Sequence, residues 1–128
     1  MLTRHQFLVV TVTGASMEPT LRQGDRVLVR RHRRGPAQVG EILVFREPGG
    51  QRAIKRVAAV AGDQVPVSVR PVTGTATIVP SGMLVMLGDG AHSGDSRHWG
   101  FIPAEHVIGQ MIRKLSGKPC REQQVEIV

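Results

Sequence analysis

Three stretches hold residues whose types could do chemistry: TGASMEPTL at 13–21, AIKRVAAV at 53–60 and LGDGAHSGDSRHWGF at 87–101. Ser16 stands between an apolar run and a proline-ended turn, where a serine can cap a helix, fill the turn or attack a carbonyl. As a nucleophile it needs a base. Five histidines, His5, His32, His92, His98 and His106, lie in charged or turn-rich surroundings, and none sits in a pattern that positions an imidazole. Lysine is the other candidate base. Lys55 interrupts an apolar stretch, and burying an ammonium is costly unless it gives up its proton. Lowering a lysine pKa from about 10.4 to about 8 costs roughly 3 kcal/mol and leaves an amine able to take a serine proton near neutral pH. A lysine that snorkels, or points to solvent from a polar strand face, is the plainer reading of the same residue. The third stretch has the composition of a tightly hydrogen-bonded turn, in which Asp95 and Arg97 can pair while Ser93 and Ser96 offer hydroxyls.

Such residues need a frame, and the surrounding sequence reads as strands. Apolar alternation and β-branching pick out 7–13, 26–30, 41–46, 52–60, 65–69, 76–79, 83–87 and 107–112. Turn signals separate them, among them Gly24-Asp25, Gly35-Pro36, Gly62-Asp63 and Gly88-Asp89-Gly90. No helical period is sustained, so helix is expected only as short turns near 17–21 and 103–106. The expected class is all-β, folded antiparallel sheets or a partial barrel. A chain of 128 residues fits one domain. Its core is expected at 8–112, with a variable connection over about 64–82 and a polar tail over about 114–128.

Three Phe, one Trp and no Tyr leave the packing to Val, Ile, Leu and Ala. A single cysteine, Cys120, excludes an internal disulfide and reads as an inert thiol. The net charge of +7 and the run RRHRR at 30–34 suit anionic partners, or the solvated tip of a hairpin ended by Gly35-Pro36. Aromatic residues that would stack on bases are missing around that run, which argues against binding single-stranded nucleic acid. No apolar stretch reaches the roughly 18–20 residues of a membrane span, and the run at 7–12 is too short for one. The expectation is a chain that is naturally unanchored or one whose preceding anchor has been removed.

Taken together, the three stretches resemble the conserved boxes of type I signal peptidases, membrane-bound serine endopeptidases. GASMEPTL is similar to their nucleophile box, IKRVAAVAGD at 54–63 to their general-base box and GDGAHSGDSRHWGFIP at 88–103 to their third box. Order and spacing agree, as do GDRVLV at 24–29 and VGEILVFR at 39–46 between them, so the resemblance spans about residues 8–112. It implies Ser16 as nucleophile, Lys55 as general base and Ser93 as the hydroxyl that orients the lysine amine. It further implies Asp95 and Arg97 as an ion pair behind the site and Asp89 as the acidic residue of the third box. Val10, Val12, Gly14, Met17, Leu21 and Ile54 fall on or beside shallow subsites that favour small residues, typically Ala-x-Ala. Substrate would lie extended between the strand before Ser16 and the strand carrying Lys55, held by main-chain hydrogen bonds. The Ser16 N–H would be an oxyanion donor. Gly14 stands where some relatives have a serine that helps this donor, and the third box is one residue shorter than in many.

The implied activity is a Ser-Lys endopeptidase that removes leader peptides from precursors at a membrane surface, with no cofactor, no metal and no nucleic acid. It would work at the outer face of the cytoplasmic membrane if an anchor has been removed, and in the cytoplasm if Met1 is the true start. Three alternatives remain. One is an unanchored protease for a single dedicated precursor. Another is a self-cleaving protein like the LexA-type repressors, for which only 15 residues precede Ser16. The last is a non-catalytic basic β-domain that binds nucleic acid or lipid. The Ala-Val-Ala of 59–61 invites a self-cleavage reading, but it lies inside a strand pattern away from Ser16.

Overall fold

The computed structural model describes residues 6–31, 35–90 and 94–115, together with the backbone of 124–127. Among the described residues eight strands form one sheet: β1 (Phe7–Val12), β2 (Arg26–Arg30), β3 (Ile42–Arg46), β4 (Arg52–Val60), β5 (Met83–Leu87), β6 (Ile102–Pro103), β7 (Val107–Leu115) and β8 (Gln124–Ile127). Their order is β6-β5-β4-β3-β7-β2-β1-β8, and every pairing is antiparallel except β1 with β8. The all-β expectation holds, in the form of one mainly antiparallel sheet. The helical elements bounded among the described residues are α1 (Arg70–Thr73), α2 (Ser96–Trp99) and a 3-10 turn at Ala104–His106.

Alternation along β3 and β4 serves two cores at once. Val44 and Ile54 join Val10, Val12, Val27 and Val29 in one cluster. Leu43, Phe45, Ala53 and Val57 join Leu84, Met86 and Ile102 in another. Lys55 pairs with Leu43 across the β3–β4 ladder and shares its strand face with Ala53 and Val57. This face is apolar, so the lysine stem enters the protein rather than the solvent.

The expected strands at 65–69 and 76–79 do not form. Only an isolated bridge, Gln64 to Ile78, joins the two segments, and the chain between curls through α1. Proline explains the difference: Pro66 has no N–H for a ladder, and a proline with its preset φ occupies the first turn of α1. Amides of Val69 and Arg70 both bond back to the Pro66 carbonyl, so Val65 and Val69 are buried while Val67 points out at 75% exposure. What resembled strand alternation is a helical turn's spacing. The third cluster, with Ala59, Val79 and Val85, closes over these two valines. The expected tail begins inside β7, and its residues 124–127 pair with β1. Most of the basic run and Cys120 lie outside the described residues.

Candidate active site

The segment carrying Ser16 is an excursion between β1 and β2, pinned at its base. Val12 N–H donates to the Asp25 carbonyl at 2.8 Å, and Gly24 N–H donates to the Val12 carbonyl at 2.8 Å. Gly14 turns the chain out of β1 with φ +82°, a conformation that glycine adopts without a Cβ penalty. Leu21 N–H then bonds the Met17 carbonyl at 2.9 Å, and this single turn drives both side chains into the core, where each is essentially fully buried. Burying two such side chains stabilises the excursion by about 3–6 kcal/mol. Ser16, next to the Met17 anchor, is thereby presented at a fixed place on an otherwise polar turn.

Lys55 reaches that place from β4. Its Nζ lies 2.6 Å from Ser16 Oγ in a hydrogen bond, although the two residues are 39 apart in sequence. Only 2% of Lys55 is exposed. Loss of solvent pushes its pKa down from 10.5 to about 8, with the charge of Asp95 pulling it up and that of Arg97 pulling it down. As an ammonium the lysine donates to the hydroxyl; as an amine it accepts from it. The pair opens on a cleft of about 240 Å³ lined by Thr13, Gly14, Ala15, Glu47, Arg52 and Trp99, among others. No histidine lines it among the described residues.

The third segment braces the Ser16 turn from behind. Asp95 is fully buried and caps α2, accepting from the backbone N–H of Arg97 at 3.0 Å and of Gly88 at 2.9 Å. It also takes a two-pronged bond from the Arg97 guanidinium, Nε at 2.9 Å and Nη2 at 2.6 Å. Arg97 Nη2 donates in turn to the Gly90 carbonyl at 3.3 Å, and Gly90 N–H donates to the Ser16 carbonyl at 2.8 Å. A Cβ on Gly90 would sit 2.9 Å from the Ala15 carbonyl oxygen, so only glycine lets the two segments approach this closely. Asp89 adds a second tie. It accepts from Thr20 Oγ1 at 2.6 Å and, at both oxygens, from Arg56 (Nε 2.9 Å, Nη2 2.8 Å), which keeps its carboxyl below the usual aspartate range.

Of the residues singled out in the sequence, Ser16, Lys55 and Gly14 meet at the cleft, with Asp89, Asp95 and Arg97 beside it in the bracing network. Val10, Val12, Met17, Leu21 and Ile54 lie together in the core beneath, each at most 2% exposed, and do not line the cleft. Ser93 lies outside the described residues. Arg56, Thr20 and Gly90 were not singled out; for Arg56 the sequence offered only its place next to Lys55. The Ala-Val-Ala of 59–61 begins at a buried Ala59 in β4, paired with Val85. Among the described residues no group of three or more His, Cys, Asp or Glu side chains gathers as metal ligands.

The family model described as signal peptidase, peptidase S26, matches residues 1–74 and 66–115 of this chain. The chain belongs to this signal peptidase family. Relatives bear the likeness out along most of the sequence. "Probable signal peptidase I-1" of Synechocystis sp. is 35% identical over 131 residues, covering 79% of this chain and 67% of its own length. "Mitochondrial inner membrane protease subunit 1" of Mus musculus is 34% identical over 115 residues, covering 84% and 68% respectively. "Signal peptidase IB" of Staphylococcus aureus is 26% identical over 140 residues, covering 79% and 73%. The chain thus spans about two-thirds of the length of the first two and somewhat more of the third. No helix among the described residues of this signal peptidase family member is long and apolar enough to cross a membrane.

Proposed function

We propose that this chain is a serine endopeptidase in which Ser16 is the nucleophile and Lys55 the general base, removing signal or leader peptides after small residues of the Ala-x-Ala type. The observation that carries this reading is the 2.6 Å bond between Ser16 Oγ and a buried Nζ whose pKa falls to about 8. With that pKa about a tenth of the lysines are free amines at pH 7, against fewer than about one in a thousand for an ordinary lysine.

The amine takes the Ser16 proton as Oγ attacks the scissile carbonyl, and the Ser16 N–H stabilises the oxyanion. Lys55, now an ammonium, returns the proton to the leaving amine. A water then enters, gives a proton to Lys55 and releases the leader from the acyl-enzyme, while Lys55 restores the serine hydroxyl. Asp95, Arg97, Gly90 and Asp89 position the nucleophile segment without touching substrate. Ser93 would orient the amine. Val10, Val12, Met17, Leu21 and Ile54 would form the apolar floor behind subsites for small side chains. Precursors with N-terminal signal peptides are the substrates that the relatives' names suggest, met at a membrane surface where a net charge of +7 favours anionic headgroups.

The test is cleavage of an Ala-x-Ala precursor peptide, read by mass spectrometry, for wild type, Ser16→Ala and Lys55→Ala with and without detergent or lipid. A single cut after the second Ala, lost in both variants, is the expected result. Intact peptide with folded wild type under both conditions would overturn the general leader-peptidase reading. Cleavage surviving in Ser16→Ala would overturn the dyad.

A further inference from the structure

The strand β8 runs parallel to β1, with Val9, Val10, Thr11 and Val12 opposite Gln124, Val125, Glu126 and Ile127. No other pairing of the described strands is parallel. A parallel neighbour of β1 is carried in the direction in which β1 itself leads to Ser16, four residues beyond Val12. β8 also approaches β4, the strand bearing Lys55, with Cα atoms of the two strands within 8 Å. It therefore lies beside both strands that supply the Ser16–Lys55 pair. A peptide that adds to the outer edge of β1 must use the same backbone N–H and C=O groups that β8 already uses.

We infer that Gln124–Ile127 is an intramolecular competitor for the substrate edge of β1, bound as an extended strand and displaced when a leader peptide enters. The identity of the displaced ligand rests on the leader-peptidase reading; the strand's hold on β1 does not. The segment reads Gln-Val-Glu-Ile and lacks the paired small residues expected of a cleavable leader, which suits an occupant that is held and not cut. Tethering makes weak pairing sufficient. With an effective concentration of about 1 mM and an intrinsic dissociation constant of about 0.1 mM, the edge is occupied about ten to one, raising the apparent KM for a peptide roughly tenfold.

The test uses the full chain carrying Val125→Pro and Glu126→Pro together. Adjacent prolines remove both N–H groups, so whichever of them faces β1 is lost. Hydrogen exchange followed by mass spectrometry is the first readout, because it needs no catalysis. The expected result is faster exchange in the β1 segment of the double variant, with β3–β5 unchanged. Peptide cleavage is the second: KM should fall about fivefold or more with kcat unchanged, and a synthetic peptide of residues 122–127 added in trans should inhibit the double variant competitively. Equal exchange at β1 in the two proteins, or equal KM, would overturn the inference while leaving the leader-peptidase reading intact. Faster exchange at β1 in a protein that cleaves no leader peptide would instead uphold the strand's hold on the edge and remove the proposed substrate.

Discussion

Replacing Lys55 with Met keeps a long unbranched side chain at a buried position and deletes the amine. The native lysine titrates near 8 instead of 10.5, so its charged form is disfavoured in the fold by about 3 kcal/mol. The sign follows from linkage. A lysine whose folded pKa lies below its unfolded value destabilises the native state fully below the folded pKa, and this cost disappears as pH rises through the unfolded pKa. Wild type should therefore gain about 2.5 kcal/mol of stability from this one group between about pH 6 and about pH 10, and Lys55→Met should lack that rise. Losing the bond to Ser16 Oγ offsets about 1 kcal/mol, leaving the variant about 2 kcal/mol more stable at pH 7 and completely inactive. Urea unfolding of both proteins across this pH range, with slopes compared to check that both unfold alike, measures the difference directly. A stability difference that stays constant with pH would mean that Lys55 is not held at a depressed pKa, and the physical basis for a lysine base would fail.

The same pKa predicts that kcat/KM for a leader peptide rises tenfold per unit up to about pH 8 and then levels; a profile already flat at about pH 6 would contradict a lysine base. Gly90→Ala places a methyl 2.9 Å from the Ala15 carbonyl oxygen and should shift the segment carrying Ser16. Cleavage should drop on the order of 10–100-fold with the circular dichroism spectrum retained, the kinetic equivalent of about 1–3 kcal/mol. Asp89→Asn weakens the ties to Arg56 and Thr20. Because the Asp89 pKa is lowered in the fold, its stabilisation is present above the unfolded value and lost on acidification through the folded one, so wild type and variant should converge in acid. The pair is partly exposed, at 36% and 19% for the two side chains, so the difference near neutrality should be about 1 kcal/mol or less by thermal denaturation.

Apolar alternation in β2, apolar clustering in β4 and β5, and the turn residues flanking all three were sufficient to bound these strands from residue types alone. Alternation failed at 65–69, where valines at alternate positions look the same whether a strand shows them to one face or a turn buries two and exposes the third. Pro66 carried the distinction. Around the site, residue chemistry offered Ser16 as a candidate nucleophile and Lys55 as a candidate base beside plainer readings of both, and the ordered boxes named the family and the roles it implies. Five apolar residues assigned to the subsites are core residues in the fold, since a sequence marks a side chain as apolar without telling which atoms remain accessible.

What the sequence determined by itself is local: strand-forming periods, turns at glycine and proline, a serine set in a turn, and a lysine set in an apolar run. Those follow from interactions within a few residues. Tertiary structure decided the rest. Lys55 has a pKa pushed down to about 8 because burial in the fold desolvates it and brings the Arg97 charge near, and it meets Ser16 across 39 residues because the turn after β1 and the strand β4 close on one cleft. The Gly90 contact, the Asp89 ties and the strand laid along β1 depend in the same way on segments distant in sequence. Desolvation and hydrogen-bond geometry are properties of neighbours in space, and the order of residues along the chain does not say which neighbours those will be.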